Sequence, residues 1–131
     1  NSTFDLKRSV SASVHPRFVI KSLARVFQAI RIHINDELES LKSALESSLQ
    51  WLEIGGRLAV ISFHSLEDRI VKRFIKQAAI TCVCPREFPV CVCHTKPKLT
   101  MLTPRGIKAS SEEIKQNGRS RSAKLRVAER I

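Results

Sequence analysis

Residues 55–79 constrain the fold more than any other stretch of the chain. Gly55-Gly56 precedes Leu58, Ala59, Val60, Ile61 and Phe63, a short apolar run interrupted only by Ser62. A run of this length, entered through glycine and lacking strict alternation, predicts a strand buried on both faces, as in a parallel sheet. Ser65-Leu66-Glu67-Asp68 follows with an N-cap candidate and an acid at the third helical position. Ile70, Val71, Phe74, Ile75 and Ala78 then recur at helical spacing to about Ala79. Upstream, Leu23, Phe27, Ile30, Ile34, Leu38, Leu41, Leu45, Leu49 and Leu52 fall in steps of three and four, an amphipathic stripe about eight turns long. The stripe can divide at Asn35-Asp36, because Asp36 and Glu39 have capping-box spacing. Gly55-Gly56 suits a left-handed cap at its end. Helix, Gly-Gly, buried strand, turn and helix together predict part of a doubly wound α/β sheet.

The remaining segments carry weaker signals. Residues 1–14 are Ser-rich without a clean period, and residues 1–20 read as a poorly ordered lead-in or the end of a missing helical insertion. His15-Pro16 disfavours helix at His15. Residues 80–98 are rich in Pro and Cys and predict a hairpin or long loop. A short strand fits Leu99 to Leu102, and Ser110 with Glu113 marks a short helix. Asn117-Gly118 is a turn signal. Ser122 to Ala128 predicts a last strand, with Ala123, Leu125 and Val127 on one face and Lys124 and Arg126 on the other. No repeat of 20–50 residues is visible.

Charge narrows the partners. Among 131 residues, Lys and Arg number 23 and Asp and Glu 12, a net +11 that arises mostly beyond residue 68. A polyanion is the expected partner, nucleic acid first. The densest basic block, residues 119–130, holds Arg119, Arg121, Lys124, Arg126 and Arg130, and reads either as a solvated tail or as phosphate contacts. No apolar run reaches the roughly 18 residues of a membrane span, and no stretch has the parts of a signal peptide. The expectation is a cytoplasmic protein with no membrane partner; the sequence leaves its oligomeric state open. One Trp, no Tyr and six Phe give no obvious stacking platform for single strands.

Three groups of residues carry chemistry. Ser62-Phe63-His64-Ser65-Leu66-Glu67-Asp68-Arg69 lies at the carboxyl end of the predicted strand, where open α/β sheets bind ligands. His64 can hold or deprotonate a substrate group, whereas Glu67 and Asp68 equally suit a helix N-terminus. No Gly-x-Ser-x-Gly elbow supports a serine hydrolase. The second group is Cys82-Val83-Cys84 and Cys91-Val92-Cys93-His94. In extended chain each pair puts two thiols on one side, and a turn between Pro85 and Pro89 lets four sulfurs converge as in a structural zinc site. Buried free thiols and a disulfide or redox pair are the alternatives, and His94 is read as a bystander. The third is Gln28 and Arg31, helix-surface neighbours able to reach an RNA phosphate or base, or equally to make hydrogen bonds on the helix surface. No Gly-x-Gly-x-x-Gly or Walker loop occurs, the four glycines being at 55, 56, 106 and 118.

Arg25-Val-Phe-Gln-Ala-Ile-Arg-Ile, Asn35-Asp-Glu-Leu, the stretch from Gly55 to Lys72, Cys84-Pro-Arg-Glu-Phe-Pro-Val-Cys-Val-Cys, and residues 119–130 together resemble the bacterial 16S ribosomal RNA cytosine-N4 methyltransferases, over residues 21–131. The resemblance implies the C-terminal part of a class I methyltransferase: a partial Rossmann-like sheet with a long amphipathic helix and a Cys-rich hairpin insertion. It implies S-adenosylmethionine as methyl donor and 16S ribosomal RNA or the small ribosomal subunit as partner. Ser62, His64 and Ser65 become candidates for gripping the base. Gln28, Arg31, Glu67, Asp68, Arg69, Arg119, Arg121 and Lys124 become candidates for RNA contact. Cys82, Cys84, Cys91 and Cys93 remain the candidate zinc ligands. The family's Gly-rich donor loop and its Asp-Leu-Gly-Val-Ser-Ser turn lie upstream of the matched portion and do not occur here, so the chain alone is expected to be inactive. The rival reading is a stand-alone basic RNA-binding module with a Cys-rich hairpin.

Overall fold

The chain opens on a capping box. Ser2 Oγ accepts from the Asp5 N–H, and the Asp5 carboxylate accepts from the Ser2 N–H at 2.9 Å. These bonds satisfy two amides that a helix start leaves open, and α1 runs over Thr3–Ser13. The computed structural model describes residues 2–85 and 90–131. Helix α1 stands where the sequence suggests an irregular lead-in. His15 is extended, as a residue before proline should be, and caps a 3-10 turn over Pro16–Phe18. Helix α2 follows over Val19–Asn35 and ends at Asp36, whose φ of 49° is left-handed and whose N–H donates to Ile32 O. Helix α3 covers Glu37–Trp51. The long stripe is thus two helices. Asp36 closes the first of them with its backbone.

The molecule divides into two compact units, residues 1–37 and 38–131. In the first, α1 packs on α2. No described residue of either helix is fully buried. Phe27 is half-buried, and Ile30 and Ile34 are exposed, so the first half of the stripe is not the core face its period suggests.

The second unit has a core. Leu45 of α3, Val71 and Ile75 of α4 (Ser65–Ala78), Leu99 of β2 (Leu99–Met101) and Ala128 of β4 (Lys124–Arg130) are buried together. Leu41, Leu49, Leu58, Val60, Phe74 and Met101 pack around them. Each large side chain so buried contributes on the order of 1.5–3 kcal/mol. Strand β1 is Arg57–Ser62, β3 is Ile107–Lys108, and α5 is Ser111–Gln116, its N-terminus capped by Ser110 accepting from the Glu113 N–H. The sheet is antiparallel in the order β1-β4-β2, with β3 also on β4.

Three expectations change here. Strand β1 is not interior to a parallel sheet: it pairs antiparallel with β4, and no described strand pairs its other edge. Its burial alternates, and Ile61 is 57% exposed, because the helices of this unit cover one sheet face only. On β4, Arg126, read in the sequence as part of a solvated or phosphate-contacting block, is instead buried. Arg126 and Ala128 are buried toward the helices, while Leu125 and Val127 lie on the more open face opposite Ile61 and Ala59. Gly55 and Gly56 do not cap α3, which ends at Trp51. Gly55, at φ 84°, turns the chain into β1, and its N–H donates to Arg130 O at 2.8 Å while the Arg130 N–H donates to Gly56 O.

Between α4 and β2 the described residues form no strand, so the hairpin ladder expected in residues 80–98 is not seen among them. Pro85 is described; Pro89, with the rest of 86–89, lies outside the described residues. The segment leaves and re-enters the unit at one point, where the Lys98 N–H donates to Ala78 O at 2.7 Å.

Candidate functional site

The polar turn at the end of β1 is built by reciprocal hydrogen bonds. Its N-cap is His64, not Ser65: His64 Nδ1 accepts from the Glu67 N–H at 3.3 Å. The Glu67 carboxylate accepts in return from the Phe63 and His64 N–H groups at 2.8 and 3.1 Å. Nδ1 as acceptor makes Nε2 the protonated nitrogen of a neutral imidazole. Nε2 lies 3.3 Å from Glu67 Oε1 without hydrogen-bond alignment and is buried without another partner. Ser62 is 3% exposed, and its hydroxyl donates to Lys124 O at 3.4 Å. It therefore ties β1 to β4 and presents nothing to a base.

Asp68 is equally occupied. Its carboxylate receives Arg126 Nε at 2.7 Å, Arg126 Nη2 at 3.3 Å and Lys124 Nζ at 2.9 Å. Arg126, only 4% exposed, also donates to Pro104 O at 3.2 Å. The Arg126 guanidinium holds the Asp68 carboxyl below its usual range, against the burial that would raise it, and Lys124 adds to the lowering. Gly106, at φ 72°, allows the preceding turn to approach: a Cβ there would meet the Lys124 side chain at 2.9 Å. Asp68 and Lys124 are thus members of a largely buried ion triad, which removes both from the RNA-contact candidates. Arg126 is the residue that sequence reasoning missed. Its position on the charged face of β4 suggested solvent, and its partner lies 58 residues away.

What remains open to a ligand is a smaller set. Phe63 is 56% exposed, Ser65 and Arg69 are exposed four residues apart on one helix face, and His64 sits between them and the strand. Arg119 and Arg121 are exposed on the 3-10 turn Gly118–Ser122, on either side of buried Ser120. In the N-terminal unit, Gln28 is half-buried and Arg31 is held by Glu37, Nε to Oε1 at 2.8 Å.

The four cysteines come together. All four Sγ atoms lie within 4.8 Å of one another. Cys93 is pulled down to about 5, first by the Thr95 hydroxyl and then by the Val83 and Thr95 N–H groups. For Cys82 the Cys84 N–H is the largest influence and lowers the pKa, but the Cys91 and Cys84 thiols with desolvation outweigh it and push the thiol up to about 12.

In open α/β sheets a cofactor is commonly held at a glycine-rich strand-to-helix turn. The turn after β1 has no glycine, and its Phe63, His64 and Glu67 amides are already taken by the capping box. This turn therefore does not fit the role of a glycine-rich loop for S-adenosylmethionine.

Compared with known proteins, residues 1–131 match the MraW methylase family. The chain belongs to that family. It is 59% identical over 107 residues to a protein of Caldicellulosiruptor saccharolyticus named "Ribosomal RNA small subunit methyltransferase H", covering 82% of this chain and 35% of that protein. Proteins of the same name from Caldicellulosiruptor bescii and Thermomicrobium roseum are 50% and 54% identical. They cover 99% and 86% of this chain, and 43% and 34% of their own lengths. The chain therefore spans roughly two-fifths or less of these relatives. The match includes the first twenty residues, which the motif resemblance leaves out.

Proposed function

We propose that this chain is the C-terminal portion of an S-adenosylmethionine-dependent methyltransferase that modifies the exocyclic N4 of a cytidine in 16S ribosomal RNA. The donor is held by parts of the complete enzyme beyond these residues, and this portion alone transfers no methyl group. The observation that carries the proposal is the turn after β1, which His64 and Glu67 hold by reciprocal hydrogen bonds and which leaves Phe63, Ser65 and Arg69 exposed to a ligand. The half-exposed apolar face of the sheet and the unpaired edge of β1 support its placement within a larger sheet. A stand-alone RNA-binding module is the second reading, favoured only by the lack of fit to the donor.

The physics of the reaction assigns these residues modest but definite tasks. A cytosine amine is a weak nucleophile because its lone pair is delocalised into the ring. Transfer therefore depends on fixing the amine in line with the methyl group. A paired base must first be extruded, and an exposed aromatic can stack on it. Phe63 supplies such a face, Ser65 a hydroxyl, and Arg69 a phosphate partner one helical turn away, while His64 holds the turn that positions them. Arg119 and Arg121 extend the basic surface for RNA.

The test is His64→Ala in the complete enzyme, with labelled methyl transfer to 16S RNA followed by nucleoside analysis. The expected product is N4-methylcytidine, and the variant loses roughly 100-fold in kcat while losing only the ~1 kcal/mol of an N-cap. Unchanged kcat would reduce the turn to a helix cap, and methyl on another atom would refute the N4 assignment.

A further inference from the structure

We propose that Cys82, Cys84, Cys91 and Cys93 bind one zinc ion in a tetrahedral, all-thiolate structural site that clips the two Cys-Val-Cys stretches together. A tetrahedron with zinc–sulfur bonds near 2.3 Å has edges of about 3.8 Å. The sulfur separations here are 3.5 Å for Cys82–Cys91, 4.0 Å for Cys84–Cys91, 3.5 Å for Cys91–Cys93 and 3.8 Å for Cys82–Cys93. These are four of the six edges of the tetrahedron a zinc ion would occupy, and the other two sulfur pairs also lie within 4.8 Å. No pair is singled out for a disulfide, since Cys91 is equally close to Cys82 and Cys93. Nor are the thiols packing a core, since Cys82 and Cys91 are exposed.

The backbone is arranged for thiolates. The Val83 N–H donates to Cys93 Sγ at 3.4 Å, the Cys84 N–H to Cys82 Sγ at 3.4 Å and the Val92 N–H to Cys84 Sγ at 3.3 Å. Such bonds stabilise ligating sulfurs and fix their directions. Each ligating thiol gives its proton to solvent as the metal binds.

The segment also needs a clip. It has no strand or helix among its described residues, and Val83, Val90 and Val92 are 60% or more exposed. With so little apolar burial, ordering it falls to a cross-link, as in other small metal-held modules. Zinc fits an all-sulfur tetrahedral donor set without redox chemistry, and iron is the other metal such a set accepts.

The chain, purified under reducing conditions from zinc-containing medium, should carry about one zinc by elemental analysis. Its thiols should resist a thiol reagent until a chelator strips the metal. Cobalt reconstitution should give the intense visible bands of a tetrahedral thiolate site. Cys82→Ser with Cys93→Ser should lower metal content at least tenfold, with helix content by circular dichroism unchanged. Metal-free protein with four freely reacting thiols would overturn the proposal. So would iron in place of zinc, a mass showing disulfides, or full zinc content in the variant. None of these readouts depends on methyl transfer, so the site stands or falls apart from the proposed function.

Discussion

The turn after β1 and the cysteine-rich segment are neighbours in sequence but are held by opposite means. In the turn, Glu67, His64, Asp68 and Arg126 interlock through hydrogen bonds to backbone and to one another, over a packed core. In the cysteine-rich segment four sulfurs face each other and, among the described residues, Val83, Val90 and Val92 lie exposed. The contrast teaches that polar, reactive-looking residues can be the scaffold, whereas a stretch without regular structure can hold the most exacting geometry in the chain.

Breaking the scaffold should have the largest effect. Asp68→Ala leaves the buried Arg126 charge without its partner, and should lower stability by about 3–5 kcal/mol in chemical denaturation. The folded Asp68 carboxyl titrates below its unfolded value of about 3.9, so its contribution is full above that pH and is lost as pH falls through the depressed folded value. The wild type should therefore lose stability on acidification below about pH 4 more steeply than Asp68→Ala; parallel curves would mean the triad is not coupled to folding.

Next, metal removal should act on the other region alone. Amide exchange in residues 80–98 should rise by roughly tenfold or more while β1 and β4 keep their protection. Exchange that accelerates everywhere would merge the two regions into one cooperative unit. A smaller effect is expected from Glu67→Ala, about 1–2 kcal/mol, because two turn amides lose their acceptor. Smallest in stability is Arg119→Ala with Arg121→Ala, within about 0.5 kcal/mol. The same pair should reduce the salt slope of RNA binding by roughly 1.5 to 2, and an unchanged slope would make both arginines irrelevant to phosphate.

Periodicity made α4 legible, alternation β4 and capping-box spacing α5, and Asn35-Asp36 marked where the stripe could divide. These are local signals, settled within a few residues. The failures are of another kind. The apolar run 58–63 reads the same whether one or two sheet faces are covered. Arg126 reads as a solvated or phosphate-contacting residue because its partner is an Asp remote in sequence, and no window of 18 residues contains both. The cap after β1 slipped by one residue because serine is the usual cap and histidine is not. Helix α1 was hidden by a stripe too weak to register, though Ser2 and Asp5 stand at capping-box spacing. The cysteine spacing pointed toward convergence, and the alternatives to zinc could be weighed only against sulfur positions.

The hydrogen bond from the Lys98 N–H to Ala78 O closes the root of the cysteine-rich segment. Entry and exit are thereby side by side. A change of length between them can therefore leave the register of every described strand untouched.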